Sequence, residues 1–461
     1  MTVVSNQLPP LPSNADQGAK SPYSAVHSSL SKRHASERRF KALGLAAVLI
    51  GLGFVAILFT SILSKGLPAF WQATFTLPVT IDAKALSIEP YPQQNSGQTD
   101  AEYAKEVADW QASLAGANWA RLIQNALLVY LPPEAARRSR DVQRLVTSSE
   151  RFQLRELVAA QPDIIGQTVT LRMLADANVD VWIKGGIDRT LSDRQLPLTP
   201  AQRQYIEILQ DRGVLNQSFS TALFTNVDSR SSPASAGLAG ALVGSLFMML
   251  IVIVLSVPIG VAAAIYLEEF APKNRFTDLI EVNINNLAAV PSIVFGLLGA
   301  AVFISWLRLP LSAPLVGGLV LTLMTLPTVI IATRATLRAI PPSIRQAAIG
   351  LGASRVQTVT HHVLPLALPG ILTGAIIGVA QALGETAPLL LIGMSAFVAN
   401  IPSTPLDQST ALPVQIFLWQ GNELRNFFES RTSAAIIVLL ALMIVLNGLA
   451  IYLRRRFERR W

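Results

Sequence analysis

Six apolar runs of 20 to 30 residues constrain this chain more than any other feature. They lie at 42–63, 237–266, 284–306, 312–333, 367–393 and 434–453. A helix of that length covers the roughly 30 Å of hydrocarbon in a bilayer. Lipid supplies no water for backbone groups, so such runs must close their hydrogen bonds within helices. Composition agrees: 51% of residues are hydrophobic, mean hydropathy is +0.43 and only 14% are charged, against about 25% in an ordinary soluble domain. The expected fold is mainly α, a polytopic membrane protein with about six transmembrane helices.

Charge placement orients it. Residues 1–31 are rich in Ser, Pro, Asn and Gln, and a basic cluster of Lys32, Arg33, Arg38, Arg39 and Lys41 follows, so 1–41 reads as a disordered basic tail. Five arginines, Arg454, Arg455, Arg456, Arg459 and Arg460, crowd the other tail, 454–461. Arg334, Arg338, Arg345 and Arg355 stand between the fourth and fifth runs. Cytoplasmic segments collect Lys and Arg, so both termini and the loop 334–365 are expected inside, with 64–235 outside the cytoplasm. Residues 67–235 carry 16 Lys/Arg against 18 Asp/Glu, so the net charge of +8 sits beside the apolar runs. That pattern suits a lipid bilayer and argues against nucleic acid as a partner. The length of the 42–63 run, and the lack of a small-residue cleavage site after it, argue against a removable signal peptide.

The 64–235 block predicts a small extracytoplasmic α+β insertion between spans 1 and 2. Tyr103, Val107, Trp110 and Leu114 share one face of a helix within 102–130, and helices are also expected in 134–159 and 200–212. The stretches TVTLRM and NVDVWIKG in 165–184 read as strands. The core is 236–453, carrying the remaining spans.

Several chemistries are excluded. There is no cysteine, and the four histidines, His27, His34, His361 and His362, sit in no metal-binding spacing. No GxxxxGK[ST] loop is present, so no ATP site is expected in this chain. No nucleophile, base and orienting group stand together, and the chain reads as a non-catalytic subunit without cofactors.

Two motifs carry a resemblance. At 346–365 the order is Gln346-Ala347-Ala348, three residues, Gly352, nine residues, His362, one residue, then Leu364-Pro365. This resembles the EAA loop of ABC importer permeases, a helix, a turn at the Gly and a second helix, the first of which docks on an ATPase subunit. Small Ala347 and Ala348 permit close approach, and Gly352 permits a turn that a Cβ resists. Gln346 replaces the usual Glu and His362 an apolar residue. ALGETAPLL at 382–390 and VPSIVFGLLG at 290–299 resemble the phosphate-specific permeases of the PstA type, in a longer subgroup with an N-terminal extension. The resemblance covers about 237–453. It implies the type I ABC importer permease fold in a bacterial plasma (inner) membrane. It also implies four kinds of partner: a PstC-type permease as heterodimer mate, two ATPase subunits that bind ATP, a periplasmic phosphate-binding protein and the bilayer.

The residues named for coupling to the ATPase are Gln346, Ala347, Ala348, Gly352, Leu364 and Pro365. Those named for the pathway or its gate are Glu385, Thr386, Gln381 and Ser292. A carboxylate within a span costs several kcal/mol unless solvated or paired, and it repels phosphate. Glu385 is therefore read as an arginine's partner in a gate, or as half of a structural pair. Many members of the resembled family carry an Arg four residues before this Glu, where i,i+4 spacing permits pairing; this chain has Gln381. Thr386 bonds either a preceding carbonyl or a passing oxyanion. Ser292 opens a helix whose N–H groups can face an anion. Pro388 reads as a kink or stop, Asn283, Asn285 and Asn286 as interfacial caps starting the third span, and Arg334 and Arg338 as marks of the inner surface.

Two rival readings stand beside phosphate import. One is a permease for molybdate, tungstate or sulfate. The other is a membrane sensor or scaffold that transports nothing.

Overall fold

The structure is a computed structural model that describes residues 22–94, 98–395, 398 and 400–457. It divides into two units, 1–61 and 62–461. Helix α1 (Pro22–Gly66) contains the first apolar run. It starts well upstream of that run, so residues 22–41, expected in a disordered tail, are helical; residues 1–21 lie outside the described residues. No glycine or proline interrupts 23–41, and Glu37 pairs with Lys41 one turn on at 2.6 Å, which suits a helix.

The insertion begins with strand β1 (Trp71–Thr80) and a short turn of helix, α2 (Ala83–Leu86). Four helices follow: α3 (Asp100–Ser113), α4 (Trp119–Leu128), α5 (Ser139–Gln143) and α6 (Glu150–Ala160). Thr99 and Glu102 close a capping box on α3, which satisfies two of its orphan N–H groups. Trp110 and Leu114 are buried, and Tyr103 and Val107 half-buried, as their spacing predicted. Next come β2 (Thr168–Leu174), α7 (Ala177–Ile183), α8 (Pro200–Asp211), β3 (Leu215–Phe219) and α9 (Ala222–Thr225). TVTLRM is a strand as expected. NVDVWIKG is not: it forms α7, capped by Asp176, whose carboxylate accepts from the Asn178 N–H at 2.9 Å. The helix brings Asp180 and Lys184, four residues apart, to 2.6 Å, which an extended strand cannot do.

The three strands form an antiparallel sheet in the order β2-β1-β3. Phe75, Leu77, Val79 and Ile81 are fully buried in alternation along and just past β1, the period-2 pattern of a half-covered strand. Pro78 sits in this middle strand. The Thr76 N–H donates to Val214 O on the β3 side at 2.9 Å, and Pro78, two residues on, faces the same side. Pairing to β3 ends at Phe75, so the missing N–H falls on an open edge where it costs no ladder bond.

The core follows. Helix α10 (Ala239–Ile265) ends in a π turn, Tyr266–Phe270. The expected span at 284–306 is instead two helices, α11 (Arg275–Ala288) and α12 (Ser292–Gly299, extended by a π turn to Trp306), meeting at 100°. Val290-Pro291 causes the break, because a residue before proline is pushed out of the helical region. Asn283, Asn285 and Asn286 therefore lie inside α11 rather than at a span's start. Helix α13 (Pro314–Ala339) carries Arg334 and Arg338, so it continues into the segment expected as loop.

The segment after α13 forms α14 (Pro342–Gly350), α15 (Arg355–Thr358) and a π turn at 359–363. Then come α16 (Leu364–Gly384), α17 (Ala387–Leu391), α18 (Leu412–Gln420) and α19 (Arg425–Phe457). The fifth expected run thus stops as a helix at Gly384. The expected basic tail is helical as far as Phe457, and 458–461 lie outside the described residues.

Among the described residues, five helical stretches are long and apolar enough to cross a membrane, or six if the bent α11–α12 pair counts as one. Small residues set the helix contacts. A Cβ on Gly260 of α10 would meet Val329 of α13 at 2.8 Å, and one on Gly374 of α16 would meet Ala332 at 2.4 Å. Close backbone approach of this kind is how helices associate where lipid removes the hydrophobic drive.

Candidate functional site

The two motifs 90 residues apart in sequence meet in the structure. Helix α12, from VPSIVFGLLG, packs on α17, from GETAPLL. Gly296 makes this possible: a Cβ there would stand 2.7 Å from the Pro388 Cα and 2.8 Å from its carbonyl oxygen. Phe295, Leu389 and Ile392 bury themselves around this contact.

Both partners are broken helices. Helix α16 stops at Gly384, Glu385 is extended (φ −75°, ψ 130°), and α17 restarts after Thr386. Pro388 stands in the first turn of α17, so it begins a helix rather than kinking or ending one, at a position where its absent N–H costs nothing. Glu385 lies beyond the end of α16, so the helical i,i+4 relation to Gln381 does not hold; Gln381 is exposed on α16. The Glu385 carboxylate is half-buried and makes no ion pair or hydrogen bond with any described residue, and neither does the Thr386 hydroxyl. The Thr386 bond to a preceding carbonyl, expected from the sequence, is absent; its φ of −114° takes it out of regular helix. Ser292 is the first residue of α12, half-buried behind Pro291.

The 341–365 segment forms the second site. Helix α14 ends at Gly350 and the chain reverses at Gly352, whose φ of +87° favours glycine. Ser354 and Gln357 form a capping box on α15. Gln346 and Ala347 are exposed, whereas Ala348 is buried against the chain itself, so only the first alanine is open to a partner. Ile349, Leu351 and Val356 are exposed apolar neighbours, Leu351 at 91%. Leu364 and Pro365 are half-buried in the first turn of α16.

Sequence reasoning missed what fastens this segment. Arg345 of α14 donates to Glu269 at 2.7 Å and to the Ile340 and Leu337 carbonyls, each at 2.8 Å. It thereby caps the end of α13 and ties α14 to the end of α10. Beside it, Arg334 and Arg338, one turn apart on α13, share Glu268 and Glu281 in contacts of 2.8 to 3.3 Å. The pair Glu268-Glu269, adjacent in sequence, thus serves two clusters. The available signal was two acids at the end of an apolar run facing arginines four residues apart.

A third polar centre was also missed. Arg431 of α19 is 2% exposed and donates to the Ala236 and Ala234 carbonyls and to Gln72 Oε1. Gln72 in turn accepts from the Ser220 hydroxyl at 2.8 Å and donates to Ala234 O at 2.6 Å. This knot ties the insertion's β1 to the last core helix. Among the described residues no group of three His, Asp or Glu is placed to hold a metal.

Against known proteins, residues 256–461 match the family described as "Binding-protein-dependent transport system inner membrane component", and 27–193 match a domain of unknown function, DUF3333. The probable ABC transporter permease protein YqgI of Bacillus subtilis (strain 168) is 34% identical over 182 residues, 39% of this chain and 59% of that protein. The phosphate transport system permease protein PstA of Yersinia pestis is 32% identical over 232 residues, 50% of this chain and 77% of that one. A solved structure of the MetNI methionine ABC transporter in an inward-facing conformation covers 48% of this chain and 96% of its own, at 17% identity and a TM-score of 0.40.

Proposed function

The chain belongs to the binding-protein-dependent transport system inner membrane components, as a permease of the PstA type, and from that premise we propose that it forms half of the membrane pathway of an ATP-driven importer of inorganic phosphate. It is a multi-pass inner-membrane protein, and the family brings an ATPase and a binding protein as partners. The narrower assignments belong to the proposal: a PstC-type permease as heterodimer mate, two ATPase subunits, and a periplasmic phosphate-binding protein. So does the orientation, with both termini and the 341–365 segment in the cytoplasm and the 64–235 insertion outside, which the Lys/Arg clusters support.

The observation that carries the reading is the seating of α12 on α17 through Gly296 and Pro388. Each of the two breaks frees backbone groups at Val290-Pro291 and at Glu385-Thr386, and in a membrane such groups are tolerated where they are buried in protein or line a water-filled path. Relatives named for phosphate transport support the cargo. In this reading Glu385 is not a phosphate ligand, because like charges repel. Its half-buried carboxylate has no partner among the described residues, and a cation from the second permease pairs with it, a contact broken and remade as the pathway opens. Ser292 and Thr386 stand at the two breaks and face the path, with Gln381 in the last turn of α16.

Coupling runs through α14. The ATPase seats on the open face around Gln346, Ala347, Ile349 and Leu351, with Gly352 setting the turn and Leu364-Pro365 starting the helix that leads back to Glu385. Arg345 passes the displacement to the ends of α10 and α13. Nucleotide binding can bias the pathway only by favouring one of its two states.

The test is phosphate uptake by cells that depend on this chain, with Ala347→Asp. Ala347 is exposed, so the fold tolerates the change while a charge enters the docking face. Expression should be normal and uptake fall by about tenfold or more, the effect of roughly 1.4 kcal/mol of lost docking energy. Undiminished uptake would reject the coupling assignment. Competition by molybdate, tungstate and sulfate against labelled phosphate checks the cargo.

A further inference from the structure

The insertion contains a cavity of about 280 Å³ that no step above uses. It lies between α5, the start of α6, the cap of α7 and the 231–233 segment that leads into α10. Three arginines line it: Arg140 and Arg144, one helical turn apart, and Arg151 in the first turn of α6. None of the three makes an ion pair with a described residue. All three are exposed, so solvent screens their mutual repulsion, and Arg151 donates its Nε–H to the Ser148 carbonyl at 3.3 Å, which leaves the other guanidinium donors free for an anion.

The rest of the lining is built from hydroxyls. Thr147 and Ser232 are each 3% exposed. The Ser148 and Ser232 hydroxyls are bonded to each other at 2.5 Å, while the Thr147 hydroxyl bonds no described residue. That hydroxyl is open to the cavity, where water or an anion can bond it. One carboxylate, Asp176, also lines the space, but it is occupied as the cap of α7, accepting from the Asn178 backbone and side chain at 2.9 and 3.1 Å. Burial raises its pKa, while the Asn178 and Ala177 hydrogen bonds and the nearby Arg144 charge act the other way, so Asp176 offsets one of the three arginines. Three guanidinium groups against one such carboxylate leave the cavity positive.

We infer that this cavity is an oxyanion-binding site, separate from the translocation pathway, for a free tetrahedral anion of the size of inorganic phosphate. Guanidinium forks match tetrahedral oxyanions in charge and geometry, and hydroxyls such as Thr147 complete the shell. The volume falls just below the roughly 300–1,000 Å³ of pockets for drug-sized ligands, and suits a small hydrated anion. Ser232 is two residues from Ala234, which accepts from Arg431. An anion here therefore bears on the segment that joins the insertion to the core. The preference for phosphate over other oxyanions rests on the function proposed above; the site itself does not.

The test is equilibrium binding of labelled inorganic phosphate to the purified full chain in neutral-lipid nanodiscs, at constant ionic strength set with chloride. Binding should saturate at one phosphate per chain. Arg144→Gln with Arg151→Gln should weaken it by about a hundredfold, a tenfold loss for each charge-assisted contact, and Thr147→Val should weaken it without changing thermal stability. Ala347→Asp, which targets coupling, should leave binding intact, so failure of the transport reading and failure of this one give different results. Equal binding by the double variant, displacement by chloride at matched ionic strength, or, in parallel nanodiscs that contain phosphatidylglycerol, occupancy by that lipid but not by free phosphate would each overturn the inference.

Discussion

Two polar centres in this chain meet their surroundings in opposite ways. Around Arg431 both terminal guanidinium nitrogens find acceptors within the chain: two carbonyls, Gln72, and through Gln72 the Ser220 hydroxyl. Around Glu385 nothing answers the carboxylate, and the neighbouring Thr386 hydroxyl is also uncommitted. The first centre is a closed structural joint between β1 and α19. The second is an unfinished site in a half-buried place, where an unpaired charge is costly. A centre satisfied within the chain holds the fold; in the proposed reading, the one left open at Glu385 is completed by another molecule. The same contrast separates Ala348, buried against its own chain, from Ala347, turned outward beside Leu351.

The largest expected effect tests the closed joint. Arg431→Ala should destabilise the protein by about 3–5 kcal/mol, through the cavity left by a fully buried side chain and the orphaned Ala236 carbonyl. Arg431→Lys keeps the charge but not the fork that reaches Ala236, Ala234 and Gln72 together, and should fall between. Thermal unfolding of the purified chain measures both. A loss below about 1 kcal/mol for the alanine variant would mean that the burial cost of the guanidinium cancels its bonds.

The next effect sharpens the comparison within the insertion, where one group is neither closed nor open to a partner. Glu150 is 4% exposed, its Oε1 has no partner among the described residues, and burial pushes its pKa up to about 7. A folded-state value above the ordinary one means that the folded protein binds the proton more tightly than the unfolded chain. Its contribution is therefore complete below about pH 4.5 and is lost as pH rises through 7. Glu150→Gln cannot ionise, so it should stabilise the protein at pH 8 by at most about 3 kcal/mol and confer little at pH 4.5. A pH-independent difference in melting temperature would refute the assignment.

These centres also mark what could be read from the sequence. The apolar runs, the alternation in TVTLRM, the helical face of Trp110 and Leu114, and the glycine at 352 are local patterns, and local patterns carry their own period or φ requirement. Other features were not legible. NVDVWIKG has strand-like residues, yet Asp176 caps it and Lys184 reaches back to Asp180, so it is a helix. β1 contains a proline that argues against a middle strand, and only the early end of β3 removes the conflict. Glu268, Glu269 and Arg431 look like boundary charges until their partners, from 66 to 359 residues away, are in place. At Glu385 the residue was legible and its geometry was not. The sequence suggested a helix through 381–385, whereas the backbone leaves the helix at Gly384.

The contact between the two broken helices comes next in size. Gly296→Leu drives a side chain into the Pro388 backbone, and overpacking of this kind costs about 1–3 kcal/mol. The function lost should exceed the stability lost. α12 and α17 can shift apart to admit the side chain, and in the proposed reading their seating places Ser292 and Glu385 on the path. Folded, membrane-inserted protein with uptake reduced about tenfold or more is the expected result; full uptake would separate this contact from the pathway.

The smallest effect on stability tests whether the 341–365 segment is a lever. Arg345→Gln removes the 2.7 Å contact to Glu269 and the two carbonyl bonds to α13, but the side chain is 22% exposed and water replaces part of what is lost. The cost should be about 1 kcal/mol. Gln346, Ala347 and Leu351 are exposed and take no part in the clamp, so in the proposed reading the ATPase should still bind. What changes is the stiffness between α14 and the ends of α10 and α13. In the reconstituted complex the variant should hydrolyse ATP at close to the normal rate and move less phosphate for each ATP, whereas Ala347→Asp should lose hydrolysis and uptake together because docking fails. The exchange Arg345→Glu with Glu269→Arg rebuilds the pair in the opposite sense, though not its carbonyl bonds, and should recover part of the lost ratio. An unchanged ratio in Arg345→Gln would place the transmission elsewhere, in the Leu364-Pro365 entry to α16 that leads directly to Glu385.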